Sequence, residues 1–502
     1  MGYNKKVMTN ESSSQLYYDK MTKTPVTKLV VSLGIPTTIS MLISGIYNMA
    51  DTYFVGTLGE SAQGAIGILF TLQSLIQAVA FMLGHGSGTY VAKELANRDT
   101  DSATKYVSTA FFFGAAFGTL FGICGLLCLE PFMRLLGSTE TILPYAKDYG
   151  LWVLASCPFM ICSLILNNNL RYEGKATYAM IGLVSGGLLN ILLDYIFVVP
   201  CGMGVFGAGM ATAISQVVSF VLLLVFYLRM AQSTVSLTAV SRKAKTYVEI
   251  FKNGFPSFVR QGISCVASAL LNNLAGIYGA MITSAHPDYG TLIRPSDPQY
   301  AADCTIAAMS IVNRIGTLTM CVGLGIGQGL QPVASYNYQL KEYARVKRAL
   351  LSTVIINAVI IVAVGVPVIL FAPQLTRLFQ TDPLVVAIGG KAMRYAMVGL
   401  MFMPLFTPIC MCYQSIRKAG VASFLAMLRN GLVFVPVLLL LTALWQVDGV
   451  IAAQPISDVI TGIVSAPFLI HFLTSTPKEP TDDNGQNDTT AQDMPTSDVI
   501  AD

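Results

Sequence analysis

The first long apolar run of the chain has a carboxylate inside it. The run reads Ile35-Pro-Thr-Thr-Ile-Ser-Met-Leu-Ile-Ser-Gly-Ile-Tyr-Asn-Met-Ala-Asp51 and continues as Thr-Tyr-Phe-Val-Gly56. Its length suits a helix that crosses a bilayer. An Asp near the centre of such a helix costs about 2.5–3.5 kcal/mol on insertion scales, so these residues usually face the protein interior or a water-filled cavity. We therefore predict a functional role for Asp51. In the alternative, Asp51 lies just beyond the membrane and caps the next turn.

The composition of the whole chain is that of a membrane protein. Of its 502 residues, 54% are apolar and 12% are charged, whereas soluble domains carry about 25% charged residues. The net charge of +4 does not indicate nucleic-acid binding, because the basic residues lie in separate loops rather than in one patch. The ten Cys lie mostly in apolar segments, where a free thiol behaves as a small hydrophobe. We predict no bound cofactor and no structural metal site.

Apolar runs of spanning length predict an all-α polytopic membrane protein with twelve transmembrane helices. The runs lie at residues 30–54, 62–84, 107–129, 144–168, 177–200, 205–229, 255–283, 304–332, 350–372, 388–413, 421–445 and 449–473. Of the 31 Lys and Arg residues, 22 fall on the same side as the N-terminus, six on the opposite side and three (Arg260, Arg314 and Arg429) within the runs. Because cytoplasmic loops carry the excess of Lys and Arg, both termini are predicted to be cytoplasmic.

The last six runs repeat the first six in order. The matched pairs are Ile35-Pro36 with Phe255-Pro256, Leu83–Gly88 with Leu324–Gly329, Arg171–Gly174 with Arg417–Gly420, and Val205–Gly207 with Val447–Gly449. Each half contains an even number of spans, so the repeats are parallel and are predicted to form two six-helix lobes.

Five segments follow from this division. We predict a cytoplasmic N-terminal segment (1–28), an N-lobe (29–231), a cytoplasmic linker (232–252), a C-lobe (253–474) and a disordered acidic tail (475–502). The tail is polar and contains Pro and Gly, a composition that cannot bury enough apolar surface to fold.

These features resemble the multidrug and toxic compound extrusion (MATE) family, nearest its MepA-like and DinF-like bacterial branches. The resemblance covers roughly residues 25–472 and rests on the Ile35-Pro36 start, the run Asn48–Gly59, the pair Asn190 and Asp194, and the repeat itself. It implies an antiporter, not an enzyme, in the bacterial cytoplasmic (inner) membrane. Such a protein exports amphipathic, often cationic, drugs and toxic compounds by alternating access between two lobes that form a V. We expect it to function as a monomer.

The resemblance also implies where the coupling cation binds. The matching positions of the cation site in the N-lobe are Asp51, Asn190, Asp194 and Thr212, with Tyr47 and Tyr149 beside them and Asn167 on the wall of the substrate cavity. No residue of the chain is assigned a catalytic role. The expected coupling ion is a proton, with sodium as the alternative.

A depth count supports this cluster independently of the resemblance. Asp51 lies 15 residues after Pro36, or about 22 Å of helix, which places it in the outer half of a core about 30 Å thick. Asp194 precedes Pro200 by about 9 Å, and Thr212 lies about 10 Å inside its own span. Two carboxylates at one depth in an apolar pocket disfavour joint ionisation, so one is expected to hold a proton reversibly. Asn and Thr oxygens would equally suit sodium; a static hydrogen-bonded core is the other interpretation.

Three further predictions concern the remaining polar residues. The run Gly84–Gly88 is interpreted as close helix packing, with His85 as a satisfied interior residue. The seventh and tenth spans carry no carboxylate, so coupling is predicted to be asymmetric and confined to the N-lobe. Asp458 is a candidate partner for one of the three arginines within the spans.

Two other functions stay open at this point. A lipid-linked oligosaccharide flippase of the same superfamily would need the three arginines to converge on one cavity. An intramembrane enzyme is the remote alternative, because the chain has three His and no constellation of nucleophile and base.

Overall fold

The computed structural model describes residues 15–282, 289, 292 and 298–475. The predicted tail beyond Ser475, the first 14 residues and most of the loop between the seventh and eighth spans lie outside the described residues. The helices are α1 (15–23), α2 (Val26–Gly56), α3 (Glu60–Ala96), α4 (Thr100–Leu127), α5 (Leu129–Leu135), α6 (Leu143–Tyr172), α7 (Ala176–Val198), α8 (Gly204–Met230), α9 (Ala244–Ala280), α10 (Pro298–Gln339), α11 (Tyr343–Leu370), α12 (Ala372–Phe379), α13 (Pro383–Leu400), α14 (Met403–Ser415), α15 (Ala419–Met427) and α16 (Phe434–Ser475). A π-helical turn, Leu428–Leu432, joins α15 to α16.

The described helices cross a membrane twelve times, as predicted. Nine of the crossings are single helices long and apolar enough to span a bilayer, and α13 and α14 together make a tenth, with a bend of 49° between them. The stretch Ala419–Ser475 has 57 residues and would measure about 85 Å if it were straight, nearly three times the apolar core of a bilayer. Gln446 interrupts it with a φ of 50°. This kink divides the stretch into the eleventh and twelfth crossings.

Each lobe has its own apolar core. In the N-lobe, Leu69 of α3 and Ile161 of α6 belong to one buried cluster. In the C-lobe, Leu271 of α9 and Ile388 of α13 belong to another. The helices that join the lobes are α2 against α10 and α3 against α9.

Glycines let these two helix pairs approach closely. A Cβ atom on Gly329 of α10 would lie 2.7 Å from the carbonyl oxygen of Val30 in α2, and Gly86 of α3 packs in the same way on the carbonyl of Ile250 in α9. Any larger side chain would push the lobes apart. The packing predicted for the Gly-rich runs is therefore observed, and it joins the two lobes.

The ends of the helices confirm the predicted parallel repeat. Arg98 lies two residues beyond α3 with a φ of 60°, and Lys341 lies two residues beyond α10 with a φ of 63°. Gly174 and Arg417 follow α6 and α14 in the same way, with φ values of 71° and 67°. Both pairs are 243 residues apart. A single offset therefore relates these two spans of the N-lobe to their counterparts in the C-lobe.

The observed register differs from the predicted one at two places. The offset of 243 pairs His85 with Gln328 and Arg171 with Gln414, whereas the sequence match paired Arg171 with Arg417. The sequence match aligned residues of similar type. The structural register of the repeat is instead given by the equivalent ends of the helices.

We call the end of the bundle that carries the Lys- and Arg-rich loops the basic end. Its loops are residues 97–99, 173–175, 231–243, 340–342 and 416–418. The lobes are joined there by a buried apolar cluster that includes Leu29 and Leu330. Ser335 of the C-lobe donates a hydrogen bond of 2.9 Å to the carbonyl of Thr89, and Arg345 donates to the carbonyl of Met21 at 3.0 Å. In this structure the basic end is therefore closed.

Candidate functional site

A line of hydrogen bonds crosses the N-lobe near the end opposite the basic one. The Tyr149 hydroxyl of α6 donates to Oδ2 of Asp51 in α2 at 2.7 Å, and its oxygen lies 2.9 Å from Oγ1 of Thr212 in α8. Because Tyr149 has only one hydroxyl proton, Thr212 is the donor in that second bond. The side-chain nitrogen of Asn190 in α7 donates to Thr212 at 3.3 Å. The line therefore runs in one direction, from Asn190 to Asp51, across four helices.

Small residues bring these four helices together. A Cβ atom on Gly209 of α8 would lie 3.0 Å from the Cα of Tyr149, so the absent side chain lets α8 reach α6. Thr212 lies three residues further along α8 and so projects from the same face. The ring of Tyr47 packs in a similar way on Gly187 of α7, at 3.0 Å from the position of a Cβ.

Four buried oxygens of this cluster lack a hydrogen-bond partner among the described residues. They are Oδ1 of Asp51, Oδ1 of Asn190 and both carboxylate oxygens of Asp194. Asp194 is fully buried and close enough to Asp51 for the two carboxylates to interact electrostatically. Buried polar atoms without partners are costly. The oxygens are suited to take up a proton on a carboxylate or to surround one small cation.

The donor set suits a monovalent ion better than a divalent one. In the part of the chain that the structure describes, no cluster of three or more His, Cys, Asp or Glu side chains is placed to hold a metal ion. The pocket offers two carboxylates together with neutral Asn, Thr and Tyr oxygens. One proton or one sodium ion would relieve the repulsion between the carboxylates without leaving excess positive charge.

The structure therefore brings together most of the predicted site residues. Tyr47 is half-buried beside the cluster, with its hydroxyl near Asn48 and Gln216. Asn167 lies elsewhere, because it is 18 residues from Tyr149 on α6, or roughly 27 Å along the helix. Its amide nitrogen donates to the carbonyl of Ala179 at 2.8 Å and so ties α6 to α7.

A second polar group lies between the lobes towards the basic end. His85 is fully buried, as predicted, but neither ring nitrogen has a partner among the described residues, so it is not satisfied as the sequence suggested. Arg171 of the N-lobe contacts Gln328 of the C-lobe and Asn168 of its own helix. Sequence reasoning missed this bridge. The sequence gives no direct signal for this contact. In the corrected register Gln328 is the counterpart of His85, so both lobes carry a polar residue at this position.

The C-lobe has an ionic pair where the N-lobe has its hydrogen-bonded line. Arg429 donates to Asp458 at 2.8 Å, as the sequence suggested, and Gln454 donates to the same carboxylate at 3.0 Å. The pair lines a cavity of about 120 Å³ that also contacts Leu271 and Met320. Arg429 lies in the π-helical turn, a feature frequent at functional sites.

The three arginines within the spans do not share that cavity. Arg429 lines it and is neutralised by Asp458, whereas Arg260 interacts electrostatically with Arg171 between the lobes. Arg260 and Arg314 do not line this cavity, so the cavity by itself gives no support to the flippase alternative.

The MatE family model matches residues 36–196 and 300–440, more than half of the chain. The chain belongs to the MatE family. Members of this family are membrane transporters, so the protein is a transporter and not an enzyme.

Similar proteins and structures agree with this assignment. The chain is 28% identical over 464 residues to the multidrug export protein MepA of Staphylococcus saprophyticus, covering 91% of this chain and 96% of that protein. It is 26% identical to MepA of Staphylococcus aureus strain MRSA252, with the same coverage. A structure described as the outward-facing conformation of a multidrug resistance MATE family transporter superposes with a TM-score of 0.82, at 24% identity and over 91% of this chain and 98% of that one. A MATE structure in a straight conformation gives the same TM-score at 25% identity. The likeness to these structures confirms the fold.

Proposed function

We propose that this MatE family member is a cation-coupled antiporter that exports amphipathic, often cationic, organic compounds. The observation that carries the proposal is the one-way line of hydrogen bonds that ends on Asp51, next to the unpartnered carboxylate of Asp194. A buried pair of carboxylates with free oxygens can bind a cation from one side of the membrane and release it to the other. The similarity to the MepA multidrug exporters supports the class of substrate.

The closed basic end suggests which state the structure represents. If the charge bias places this end in the cytoplasm, the closure described above excludes the cytoplasm, and the Asp51 pocket lies towards the outer side. Both termini would then be cytoplasmic, and the membrane would be the bacterial cytoplasmic membrane.

In the proposed cycle, the coupling cation enters from the outside and neutralises the carboxylate pair. Neutral side chains no longer repel each other, so α2 and α7 can close around them, and the negative charge that would hold a cationic substrate is lost. The substrate then leaves outward, and the lobes reopen at the basic end. At a membrane potential of about −100 mV, each returning cation supplies roughly 2.3 kcal/mol. We propose a proton as the coupling ion, with sodium as the alternative, and a monomer as the working unit.

Transport by proteoliposomes tests this proposal. Ethidium export would be measured with a proton gradient and a sodium gradient imposed separately, first on the unaltered protein and then on Asp51→Asn. We expect one gradient to drive export and the variant to lose it while still inserting and folding. Asp303→Asn is the matched control, because Asp303 is exposed at the same end of the bundle and lies outside the pocket. Full export by Asp51→Asn would refute the assigned coupling site, and absence of export under either gradient would refute the antiporter.

A further inference from the structure

A second cavity opens at the basic end, outside both sites described above. It has a volume of about 440 Å³ and lies where α3, the start of α9 and the turn between α14 and α15 meet. The residues that matter for its chemistry are Tyr90, Lys245, Glu249, Lys252, Asn253 and Arg417. Three of these are cations and one is an acid, so the cavity is positively charged.

Glu249, the acid of the cavity, already has partners. Glu249 accepts a hydrogen bond of 2.6 Å from the Tyr106 hydroxyl, and Nζ of Lys245 lies 4.0 Å from it. Lys252 and Arg417 form no ion pair with any residue that the structure describes. Neither cation therefore has a carboxylate within salt-bridge distance among the described residues, although Glu94 interacts with Arg417 electrostatically from further away.

Two side chains present buried hydrogen-bonding atoms without partners. Asn253 is 2% exposed, and neither its Oδ1 nor its Nδ2 has a partner within the described part of the chain. The same holds for Nη1 of Arg417, although Nη2 donates to Gln339 at 3.0 Å and so holds the guanidinium in place. Buried groups of this kind are nearly always satisfied in native proteins. Both residues line the charged cavity, so their unpaired donors indicate a missing acceptor.

Comparison of the two lobes shows that these residues are specific to the C-lobe. Arg417 has a φ of 67°, which is unfavourable for a side chain other than glycine, and its counterpart in the repeat is Gly174. Asn253 corresponds to Leu33, by the offset that pairs Ile250 with Val30. The C-lobe thus has an Arg in a strained position and a buried amide in place of an apolar residue.

We propose that this cavity binds a phosphate group, presented either by an anionic lipid headgroup or by a soluble phosphate. The planar guanidinium of Arg417 matches the geometry of phosphate oxygens, and Lys252 adds a point charge. The Asn253 amide supplies a further donor. Basic pockets between spanning helices at the cytoplasmic face are typical headgroup sites. Because Tyr90 belongs to the N-lobe and the other lining residues to α9 and the C-lobe, a ligand here would join the lobes at the basic end.

Native mass spectrometry and thermal unfolding of the full-length protein in a non-ionic detergent test the proposal. The probes are phosphatidylglycerol, phosphatidylcholine and inorganic phosphate at matched ionic strength. The variants are Lys252→Gln, which changes an exposed side chain, and Arg417→Asn, in which Asn tolerates a positive φ. Arg348→Gln is the matched control, because Arg348 is exposed at the basic end and does not line the cavity.

We expect at least one phosphate probe to bind and to raise the unfolding temperature. Each variant should weaken that binding about tenfold or more, the usual effect of losing a charge-assisted hydrogen bond, and the control should not. Binding of phosphatidylglycerol without inorganic phosphate identifies a lipid as the source, and binding of inorganic phosphate alone identifies a soluble one. The proposal is overturned if no probe binds, if both variants bind normally, or if Arg348→Gln loses as much as they do.

Discussion

The Tyr149 hydroxyl donates to the Asp51 carboxylate at 2.7 Å, and both groups are buried in the N-lobe. This one bond ties α6 to α2 and sets the direction of the whole line from Asn190. The other oxygen of Asp51 has no hydrogen-bond partner among the described residues. The geometry therefore makes Tyr149 the residue that positions the proposed coupling carboxylate.

Tyr149→Phe should uncouple transport without unfolding the protein. The substitution keeps the ring and removes two hydrogen bonds, the one accepted from Thr212 and the one donated to Asp51. The bond to the charged group alone is worth about 1.5–3 kcal/mol. We expect the concentration of the coupling ion that gives half-maximal ethidium export to change about tenfold or more. Tyr145→Phe is the control, since Tyr145 lies one turn away on α6 and is 37% exposed. Unchanged ion dependence in Tyr149→Phe would show that the bond is only structural.

Gly209→Ala should separate α6 from α8 at the site. The new Cβ would lie 3.0 Å from the backbone of Tyr149, and overpacking of this kind costs about 1–3 kcal/mol. We expect a lower unfolding temperature in detergent together with weaker export. Gly67→Ala in α3 is the matched control, because a Cβ atom at that position would have no neighbour within 4 Å. That control should be neutral or slightly stabilising, and equal losses in both variants would count against the packing argument.

The Arg429–Asp458 pair should show strong coupling in a double-mutant cycle. Asp458→Leu leaves a guanidinium in the C-lobe with no carboxylate beside it, and breaking a buried pair in this way costs about 3–5 kcal/mol. Arg429→Met combined with Asp458→Leu removes both charges and should be far less harmful than either single change. The unfolding temperatures of the four proteins measure the coupling. Additive effects would mean that the two residues act independently.

Glu173 should make the linker sensitive to pH. This carboxyl lies just beyond the end of α6 and accepts hydrogen bonds from the backbone nitrogen of Gln232 at 2.5 Å and from the Tyr227 hydroxyl at 3.0 Å. Burial raises the pKa of Glu173 above its ordinary value, although the hydrogen bonds from Ser233 and Gln232 oppose this. A raised pKa means that the folded state prefers the protonated form. Its contribution to stability is therefore full below the unfolded pKa of about 4.3 and is lost as the pH rises through the higher folded value.

Glu173→Gln tests this sign directly. The neutral amide cannot ionise, so the variant should lose less stability than the unaltered protein as the pH rises from about 4. Thermal unfolding across that range measures the difference, and Glu140→Gln, at an exposed position on the opposite end, serves as the control. Parallel pH profiles for Glu173→Gln and the unaltered protein would contradict the expectation.

Much of the candidate site was predictable because helix geometry is regular. Counting 1.5 Å per residue placed Asp51, Asp194 and Thr212 at one depth, and the structure places all three in one cluster. The family resemblance added Tyr149, whose bond to Asp51 the structure shows. Asn167 was matched only loosely, and its amide proves to be bonded to the neighbouring backbone.

Other features depend on contacts between residues that are far apart in the sequence, and the sequence alone does not predict these contacts. The pairing of Arg171 with Gln328 joins residues 157 positions apart in different lobes. It became intelligible only when Arg98, Lys341, Gly174 and Arg417 revealed the register of the repeat. The unsatisfied ring of His85 and the charged cavity at the basic end likewise depend on which helix faces which.

The sequence alone determined the number of crossings, their order and the depth of each polar residue, because the thickness of the bilayer and the rise of the helix are constants. The tertiary structure decided how each helix is rotated about its axis and which partner it meets. That rotation follows from packing at glycines such as Gly209 and Gly329, where contact between backbones outweighs any local preference. As a result, the carboxylate of Asp194 has no hydrogen-bond partner among the described residues, whereas the carboxylate of Asp458 is paired with Arg429.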